Sequence, residues 1–303
     1  MPSRADPLAT RRRRRSMRGR HLAVAVLLWA GPSLALSLAL MGSAQPAAAE
    51  VLRIGVFGQD PPRSFVDEQG ELHGLDVDVA RALCAAMHFA CELVPMEWSA
   101  LLPAVEDRTL DAAVASISIT DARRERVDFT RPYYRTPARF VARRSTLVAV
   151  DPRNLAGKRI GVRRGTTFDD YLSDNYAGQS IIVRYSTQPA ALLDLMLGRL
   201  DLVLGDAAVL QQTFLETEQG EEYAFVGPPL WAPKWFGYGN GVAVSKHNAG
   251  LLQLLDRAVA DIRVNGGFER IRRTWFPGGL GVTTGTEAGT GTGAADAADA
   301  SGD

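Results

Sequence analysis

Two kinds of hydrophobic pattern alternate along the chain after residue 50. Short runs of β-branched and apolar residues predict strands at 51–57, 91–95 and 111–116. Apolar positions that recur at helical spacing predict helices at 76–87 and 98–106. This strand-helix-strand-helix-strand order predicts an α/β fold with a doubly wound, mostly parallel sheet.

The same order of elements returns farther along the chain. Strands are predicted at 159–163, 181–185 and 201–204, with helices at 168–175 and 188–197 between them. We therefore expect a second lobe that is built on the same plan as the first.

The segment after this second unit has too few elements to fold alone. Strands are predicted at 223–227 and 241–245, joined by a connection at 228–234 and followed by helices at 250–264 and 268–275. We expect this segment to cross back and complete the first lobe. The chain would then pass twice between the lobes, which forms a hinge.

The two ends of the chain lie outside the predicted lobes. A basic N-terminus, an apolar stretch at 22–41 and the small residues Ala47-Ala48-Ala49 predict a secretory signal peptide over residues 1–49. A retained membrane anchor is the alternative. Residues 279–303 have no apolar period and predict a disordered tail.

The remaining residues divide between the lobes. Lobe I is expected to be discontinuous, over residues 50–137 and 235–278, and lobe II to span residues 138–234.

Charge narrows the possible partners. The whole chain is formally neutral, but removal of residues 1–49 takes away eight arginines and one aspartate and leaves a net charge of −7. Nucleic acids and anionic membranes bind basic surfaces, so neither is expected as a partner of the exported protein.

The chain has two cysteines, Cys84 and Cys91, and both lie in the exported part. An even pair at short spacing in an oxidising compartment predicts one disulfide between the end of a helix and the start of a strand. A free buried pair or a metal site are the alternatives. No metal and no cofactor are expected, because the histidines form no ligand-spaced cluster with the cysteines.

Candidate chemistry collects where predicted strands end, the edge at which open α/β sheets bind ligands. After the strand that ends at Ser116, Ser118 and Arg123 flank a helix start around Thr120, which suits a carboxylate. In the second unit, Gly165-Thr166-Thr167 offers amides and hydroxyls to the same group, and Asp206 could hold an ammonium together with Ser116. The alternative is that Thr120, Asp121 and Asp206 only cap helices and that Arg123 is solvated.

Five motifs stand out between Leu52 and Phe276: Gly74-Leu75-Asp76-Val77-Asp78, Ala100-Leu101-Leu102-Pro103-Ala104, Ser116-Ile117-Ser118-Ile119-Thr120, Glu222-Tyr223-Ala224-Phe225-Val226-Gly227-Pro228, and Trp235-Phe236-Gly237 with Gly239 and Gly241. Through these motifs the chain resembles the periplasmic solute-binding proteins of family 3, which serve ABC transporters for polar amino acids, and especially their lysine/arginine/ornithine- and histidine-binding branch. The spacing of Cys84 and Cys91 also matches a disulfide of that branch.

The resemblance implies a type II periplasmic-binding-protein fold and a set of ligand contacts. It implies an α-carboxylate on Arg123, Ser118 and Thr167. It further implies an α-ammonium on Asp206 and Ser116 and an aromatic wall from Trp98. A monomer that delivers an amino acid to a membrane permease is the implied partner arrangement.

The side-chain pocket departs from the branch at three positions. Relatives that bind cationic side chains usually have an acidic residue where this chain has Phe57 and an aromatic residue where it has Asp60. Arg163 stands where the cationic branch is typically apolar and where glutamine-binding relatives have a lysine. If Arg163 points inward, it would repel a cationic ligand and favour glutamine or glutamate; if it points to solvent, Asp60 favours a cation.

Capture of a polar amino acid for transport, without covalent chemistry, is the leading hypothesis. A cationic ligand such as lysine, arginine, ornithine or histidine is slightly favoured, and glutamine or glutamate comes next. The same fold also carries periplasmic dehydratases of the cyclohexadienyl type, for which Asp60 and Asp206 would be the candidate acids. A binding module for a partner other than a permease is the third hypothesis.

Overall fold

A computed structural model describes residues 51–146 and 149–280 of the chain. The predicted signal peptide and nearly all of the predicted tail lie outside these residues. The strands are β1 (Leu52–Phe57), β2 (Gln59–Asp60), β3 (Ser64–Val66), β4 (Leu72–His73), β5 (Cys91–Met96), β6 (Ala112–Ser118), β7 (Val127–Phe129), β8 (Ala138–Arg143), β9 (Arg159–Arg163), β10 (Ile181–Tyr185), β11 (Leu202–Asp206), β12 (Tyr223–Leu230) and β13 (Asn240–Ser245).

The helices follow the strands as the hydrophobic pattern predicts. They are α1 (Leu75–Met87), α2 (Trp98–Glu106), α3 (Asp121–Arg124), α4 (Thr167–Tyr176), α5 (Gln188–Met196), α6 (Ala207–Leu210), α7 (Pro233–Phe236), α8 (Ala249–Val264) and α9 (Gly267–Trp275), with a π-helix at Gln211–Leu215 and a 3₁₀-helix at Glu218–Gly220. None of the described helices is long and apolar enough to cross a membrane.

The first sheet has five strands in the order β5-β1-β6-β13-β7. Strand β1 pairs in parallel with β5 and β6, whereas β13 pairs antiparallel with β6 and β7. Successive side chains of a strand point to opposite faces, so Val114 packs with α1 and α8 while Ala113 packs with α2. Both faces are therefore buried, which explains the almost uninterrupted apolar run of β6.

The second sheet repeats this plan in the order β10-β9-β11-β8-β12. Strand β9 pairs in parallel with β10 and β11, and β8 is antiparallel to both β11 and β12. Leu204 packs on the face covered by α4, and Val203 packs on the face covered by α5. The two sheets with helices on both faces confirm the predicted two-lobed α/β fold.

The chain passes between the sheets twice, after β7 and after β12. Strand β13 returns to the first sheet and lies between β6 and β7, as expected for a closing segment. The residue limits assigned to the two lobes stay a prediction.

Several elements differ from the sequence prediction. The small sheet β2-β3-β4 and strands β7 and β8 were not predicted. The first four of these strands have only two or three residues, and β8 mixes arginines with apolar residues. The predicted connection at 228–234 is wrong in its first part: β12 continues to Leu230 across a register shift. Gly227, with φ of 68°, makes the bulge possible, since that backbone conformation strains other residues.

The predicted disulfide is present. Cys84 and Cys91 are joined with an S–S distance of 2.02 Å, and the bridge ties the last turn of α1 to the first residue of β5. His88 ends the helix in the left-handed conformation, and its amide donates to the carbonyls of Cys84 and Ala85. The disulfide therefore cross-links the tight turn between α1 and β5.

Candidate functional site

A cleft lies at the carboxyl ends of strands from both sheets. Ser118 ends β6 in the first sheet, while Arg163 ends β9 and Asp206 ends β11 in the second. All three residues line the cleft. The structure thus brings together the three strand-helix junctions that the sequence singled out, although β6 runs two residues and β11 two residues farther than predicted.

Arg123 places a positively charged guanidinium on the side of the cleft that the first sheet forms. It lies in the short helix α3, and its amide donates to the capping hydroxyl of Thr120 at 3.3 Å. Its guanidinium donates from Nη1 to the Ser118 carbonyl at 3.0 Å and lies 5.6 Å from the centre of the Trp98 ring. Among the residues that the structure describes, no carboxylate lies within ion-pair distance of it.

Burial acts on the charge of this arginine. It lowers the pKa of Arg123 to about 10, with nearby Asp170 opposing the shift and Arg163 adding to it. A partly buried guanidinium without a carboxylate partner is a site that an anion would stabilise.

Ser116 anchors the floor of the cleft through a buried network. Its backbone has φ of 51°, its amide donates to the Tyr133 hydroxyl at 3.0 Å, and its hydroxyl donates to Asp76 at 2.7 Å. The Tyr134 hydroxyl donates in turn to the Ser116 hydroxyl. Burial raises the pKa of Asp76 to about 6, against the opposing hydrogen bonds from Ser116 and Tyr133. The network holds the strand end in an unusual conformation that faces the cleft.

The start of α4 forms the opposite wall. Thr166 caps the helix by accepting from the Asp169 amide at 3.4 Å, and its hydroxyl donates to the Arg163 carbonyl at 2.7 Å. Thr167, the first helical residue, is buried and lines the cleft. The Trp98 indole donates to the Gly165 carbonyl at 2.8 Å, so the first half of the chain contacts this wall directly.

Asp206 both caps a helix and joins a charge cluster. Its Oδ1 accepts from the amides of Ala208 and Val209 at 3.0 and 3.2 Å, as the capping alternative predicts. Its Oδ2 accepts from the Thr136 hydroxyl and lies 3.5 Å from Nη1 of Arg63. Both carboxylate oxygens therefore already have partners within the protein.

Arg63, Asp60 and Arg163 form the rest of this charge cluster. Asp60 Oδ2 lies 2.6 Å from Arg63 Nη2 and 3.1 Å from Arg163 Nη1. Burial alone would raise the pKa of Asp60, but the two guanidiniums outweigh it and hold the pKa below its usual value. Asp60 is therefore an ion-paired carboxylate at neutral pH.

Arg163 points inward, and its guanidinium packs against the aromatic rings of Trp98 and Phe57. Its guanidinium carbon lies 4.6 Å from the centre of the Trp98 ring and 5.1 Å from that of Phe57, and the two rings meet edge to face at 6.1 Å. Phe57 and Asp60 are buried behind Arg163 and do not line the cleft, whereas seven of the nine predicted residues do: Ser116, Ser118, Arg123, Thr167, Asp206, Trp98 and Arg163.

Sequence reasoning missed Arg63, Arg135 and Thr136, which also line the cleft. Arg135 donates to the Trp231 carbonyl at 2.8 Å and stacks on the Trp231 ring at 4.8 Å. The one available signal for Arg63 was its position directly after Pro61-Pro62, beside a buried acidic residue. No group of histidine, cysteine, aspartate or glutamate suited to a metal ion occurs in the described part of the chain.

Comparison with known proteins agrees with this architecture. Residues 52–278 match the model of the bacterial extracellular solute-binding proteins, family 3. An L-arginine-binding protein of Pseudomonas aeruginosa is 40% identical over 243 residues, which cover 80% of this chain and 94% of the relative. A lysine/arginine/ornithine-binding periplasmic protein of Escherichia coli is 30% identical, with coverages of 80% and 94%.

Solved structures agree as well. A Salmonella typhimurium periplasmic binding protein described for its high arginine specificity matches with a TM-score of 0.68 and 30% identity, over 75% of this chain and all of that one. An ancestral arginine-binding protein bound to glutamine matches with a TM-score of 0.65 and 28% identity, over 75% and 97%. The chain belongs to the bacterial extracellular solute-binding proteins of family 3.

Proposed function

We propose that this family 3 protein is the extracytoplasmic substrate-binding component of an ABC transporter and captures a polar L-α-amino acid between its two lobes. The observation that carries the proposal is the Arg123 guanidinium, which is desolvated at the cleft and has no carboxylate partner among the described residues. An α-carboxylate would supply that partner, and charge-assisted hydrogen bonds of this kind are among the strongest that proteins make.

The remaining contacts follow from the cleft geometry. Ser118 and Thr167 line the same cleft as Arg123 and would donate to the same carboxylate. Asp206 and Ser116 also line the cleft and would receive the α-ammonium, so that Asp206 would be shared between the ammonium and Arg63. Trp98 forms the wall against which the ligand packs. The relatives are arginine-, lysine/arginine/ornithine- and histidine-binding proteins, which supports an amino acid as the ligand.

Binding without chemical conversion fits the state of the two acidic residues. A dehydratase needs a carboxylic acid that can protonate the leaving hydroxyl. The lowered pKa of Asp60 keeps it ionised, because Arg63 and Arg163 stabilise the carboxylate. Asp206 has both oxygens occupied by hydrogen bonds and an ion pair. Incubation with prephenate or arogenate should therefore give no turnover.

The binding test is a thermal-shift and calorimetric screen of the purified protein against the common L-amino acids and ornithine. A ligand at a hundred times its dissociation constant stabilises the folded state by about 2.7 kcal/mol, enough for a clear shift. Arg123→Met should weaken binding at least about 100-fold, because it removes the charge that faces the α-carboxylate. Arg124→Met is the matched control, since Arg124 is the exposed neighbour in the same helix. Binding that survives in Arg123→Met would contradict the assignment.

Periplasmic location and the permease partner need their own test. Fractionation of cells that express the full chain should recover the protein in the periplasm without residues 1–49. Liganded protein should stimulate ATP hydrolysis by the reconstituted cognate transporter, and unliganded protein should stimulate it much less. Failure of every candidate permease to respond would favour the alternative, a binding module for another periplasmic partner.

A further inference from the structure

We infer that the ligand's side chain carries a carboxylate that binds Arg163, so that the cleft selects an acidic α-amino acid of the aspartate and glutamate class. The inference rests on the proposed function, because it assumes that Arg123 holds the α-carboxylate. It runs against the cationic ligands that the sequence slightly favoured and that the curated relatives are named for.

The first argument is that the guanidinium of Arg163 already occupies the place beside the aromatic rings that a cationic ligand side chain would take. The Arg163 guanidinium lies between Trp98 and Phe57, at 4.6 and 5.1 Å from the ring centres, and the residue is only 5% exposed. A ligand guanidinium or ammonium that approached the same aromatic wall would meet this fixed positive charge. Like charges at close range in a desolvated site repel strongly, so a cationic side chain is rejected there.

The second argument is that no anion is left for a cationic side chain. Asp60 is the acidic residue that could have held one, but it is 4% exposed and already paired with Arg63 and Arg163. Asp206 lines the cleft but is assigned to the α-ammonium, and Asp76 and Asp170 do not line it. Around Arg163 the cleft therefore offers guanidinium donors to a ligand side chain, but no carboxylate that is free to accept from a cationic one.

The third argument is the charge balance of the closed cleft. Arg63 and Arg163 offset Asp60 and Asp206, which leaves Arg123 as the unbalanced charge of the set. The α-carboxylate balances Arg123, but the α-ammonium then adds a positive charge beside Asp206, which is already shared with Arg63. Arg135 lines the cleft as a further cation. With Arg135 these charges sum to +2, so a ligand with a side-chain carboxylate, net charge −1, lowers the total to +1, whereas a ligand with a cationic side chain, net charge +1, raises it to +3.

The fourth argument is the unused donor capacity of Arg163. Its Nη1 lies 3.1 Å from the Asp60 carboxylate, whereas Nε and Nη2 of the same guanidinium make no hydrogen bond among the described residues. A guanidinium presents five donors in a fork that matches a carboxylate. Arg163 and Arg123 contact the same Trp98 ring, so one short dicarboxylic ligand can reach both.

The first experiment compares ligands that differ in charge but hardly in shape. Dissociation constants of the wild-type protein are measured by calorimetry for L-glutamate against L-glutamine and for L-aspartate against L-asparagine. L-arginine, L-lysine, L-ornithine and L-histidine complete the set. We expect one acidic amino acid to bind tightest and to exceed its amide by about 30-fold or more, the size of effect that one buried charged hydrogen bond produces.

The second experiment assigns that preference to Arg163. Arg163→Met should reduce the acid-to-amide ratio to about 3 or less. Arg164→Met should leave the ratio unchanged, since Arg164 is the exposed neighbour on the same strand end and has no ion pair among the described residues. Arg163→Lys should retain part of the preference because it keeps the charge. Unliganded melting curves check folding, which Arg163→Met should preserve because Asp60 keeps its partner Arg63.

The outcomes separate this inference from the proposed function. Tight binding of a basic amino acid with weak binding of acidic ones would overturn the inference and leave amino-acid capture standing. Failure of all amino acids to bind would overturn the proposed function itself. An acidic preference that persists in Arg163→Met would show that another residue holds the side-chain carboxylate and would also refute the inference.

Discussion

Removal of the Cys84–Cys91 disulfide should destabilise the protein by an amount that follows from the size of the loop it closes. The two cysteines are seven positions apart, so the bridge closes a loop of about eight residues. In the chain-entropy description, such a loop restricts the unfolded chain by about 2.5 kcal/mol. For a domain of this size, 1 kcal/mol corresponds to about 2–4 °C, so the melting temperature should fall by about 5–10 °C.

Two forms of the protein test this value. Reduction with a phosphine keeps both sulfur atoms, whereas the Cys84→Ala/Cys91→Ala double variant also removes packing of Cys84 in the first core. Both are compared with the oxidised protein by calorimetry, with free thiols counted by mass spectrometry after alkylation. Neither cysteine lines the cleft, so the ligand dissociation constant should not change. A fully reduced protein that melts within 1 °C of the oxidised one, with ~0 kcal/mol lost, would refute the loop-entropy reasoning.

Three further predictions address the backbone, pH and the core. Gly74→Ala should lower the free energy of unfolding in urea by at least about 2 kcal/mol, because φ is 124° and a Cβ would collide with the backbone carbonyl oxygen of Arg63. Gly70→Ala, with φ of 84° and open space, should cost less. The raised pKa of Asp76, about 6, means that the folded state binds its proton more readily. Wild-type unfolding free energy, relative to Asp76→Asn, should therefore rise by roughly 1–3 kcal/mol from pH 7.5 to 4.5; a flat difference would contradict this. Phe140→Ala, fully buried, should cost about 3–5 kcal/mol and Val264→Ala, 89% exposed, within about 0.5 kcal/mol.

The hydrophobic pattern predicted most of the fold because its elements are buried on defined faces. Strand β9 and helix α2 have the predicted bounds, since each combines a strong apolar period with clear flanking residues. The end of β6 was placed two residues early, because Ser118 is polar and its pairing with Asn240 of β13 depends on a segment more than a hundred residues away. Edge elements such as β7 form only against β13 and carry little local signal.

The residues expected to hold the α-carboxylate and α-ammonium could be predicted from the sequence, whereas the pocket for the ligand's side chain could not. Strand ends converge in any sheet of this type, so Ser118, Thr167 and Asp206 could be brought together from the order of elements alone. The direction of the Arg163 guanidinium could not be predicted from the order of elements. It depends on contacts with Trp98 and Asp60 from the other half of the chain.

Arg63 is the residue that makes the side-chain end of the cleft consistent with an anionic ligand. Without it, Asp60 would face Arg163 alone, and the pair would be neutral, so an incoming carboxylate would be repelled by Asp60 and only weakly attracted by Arg163. Arg63 also pairs with Asp60, at 2.6 Å against 3.1 Å for Arg163, so the Asp60 charge is shared between two guanidiniums and part of the Arg163 positive charge stays uncompensated. Because buried charges are stable only when paired, Asp60, Arg63 and Arg163 depend on one another, and the departure from the cationic branch is one coupled change.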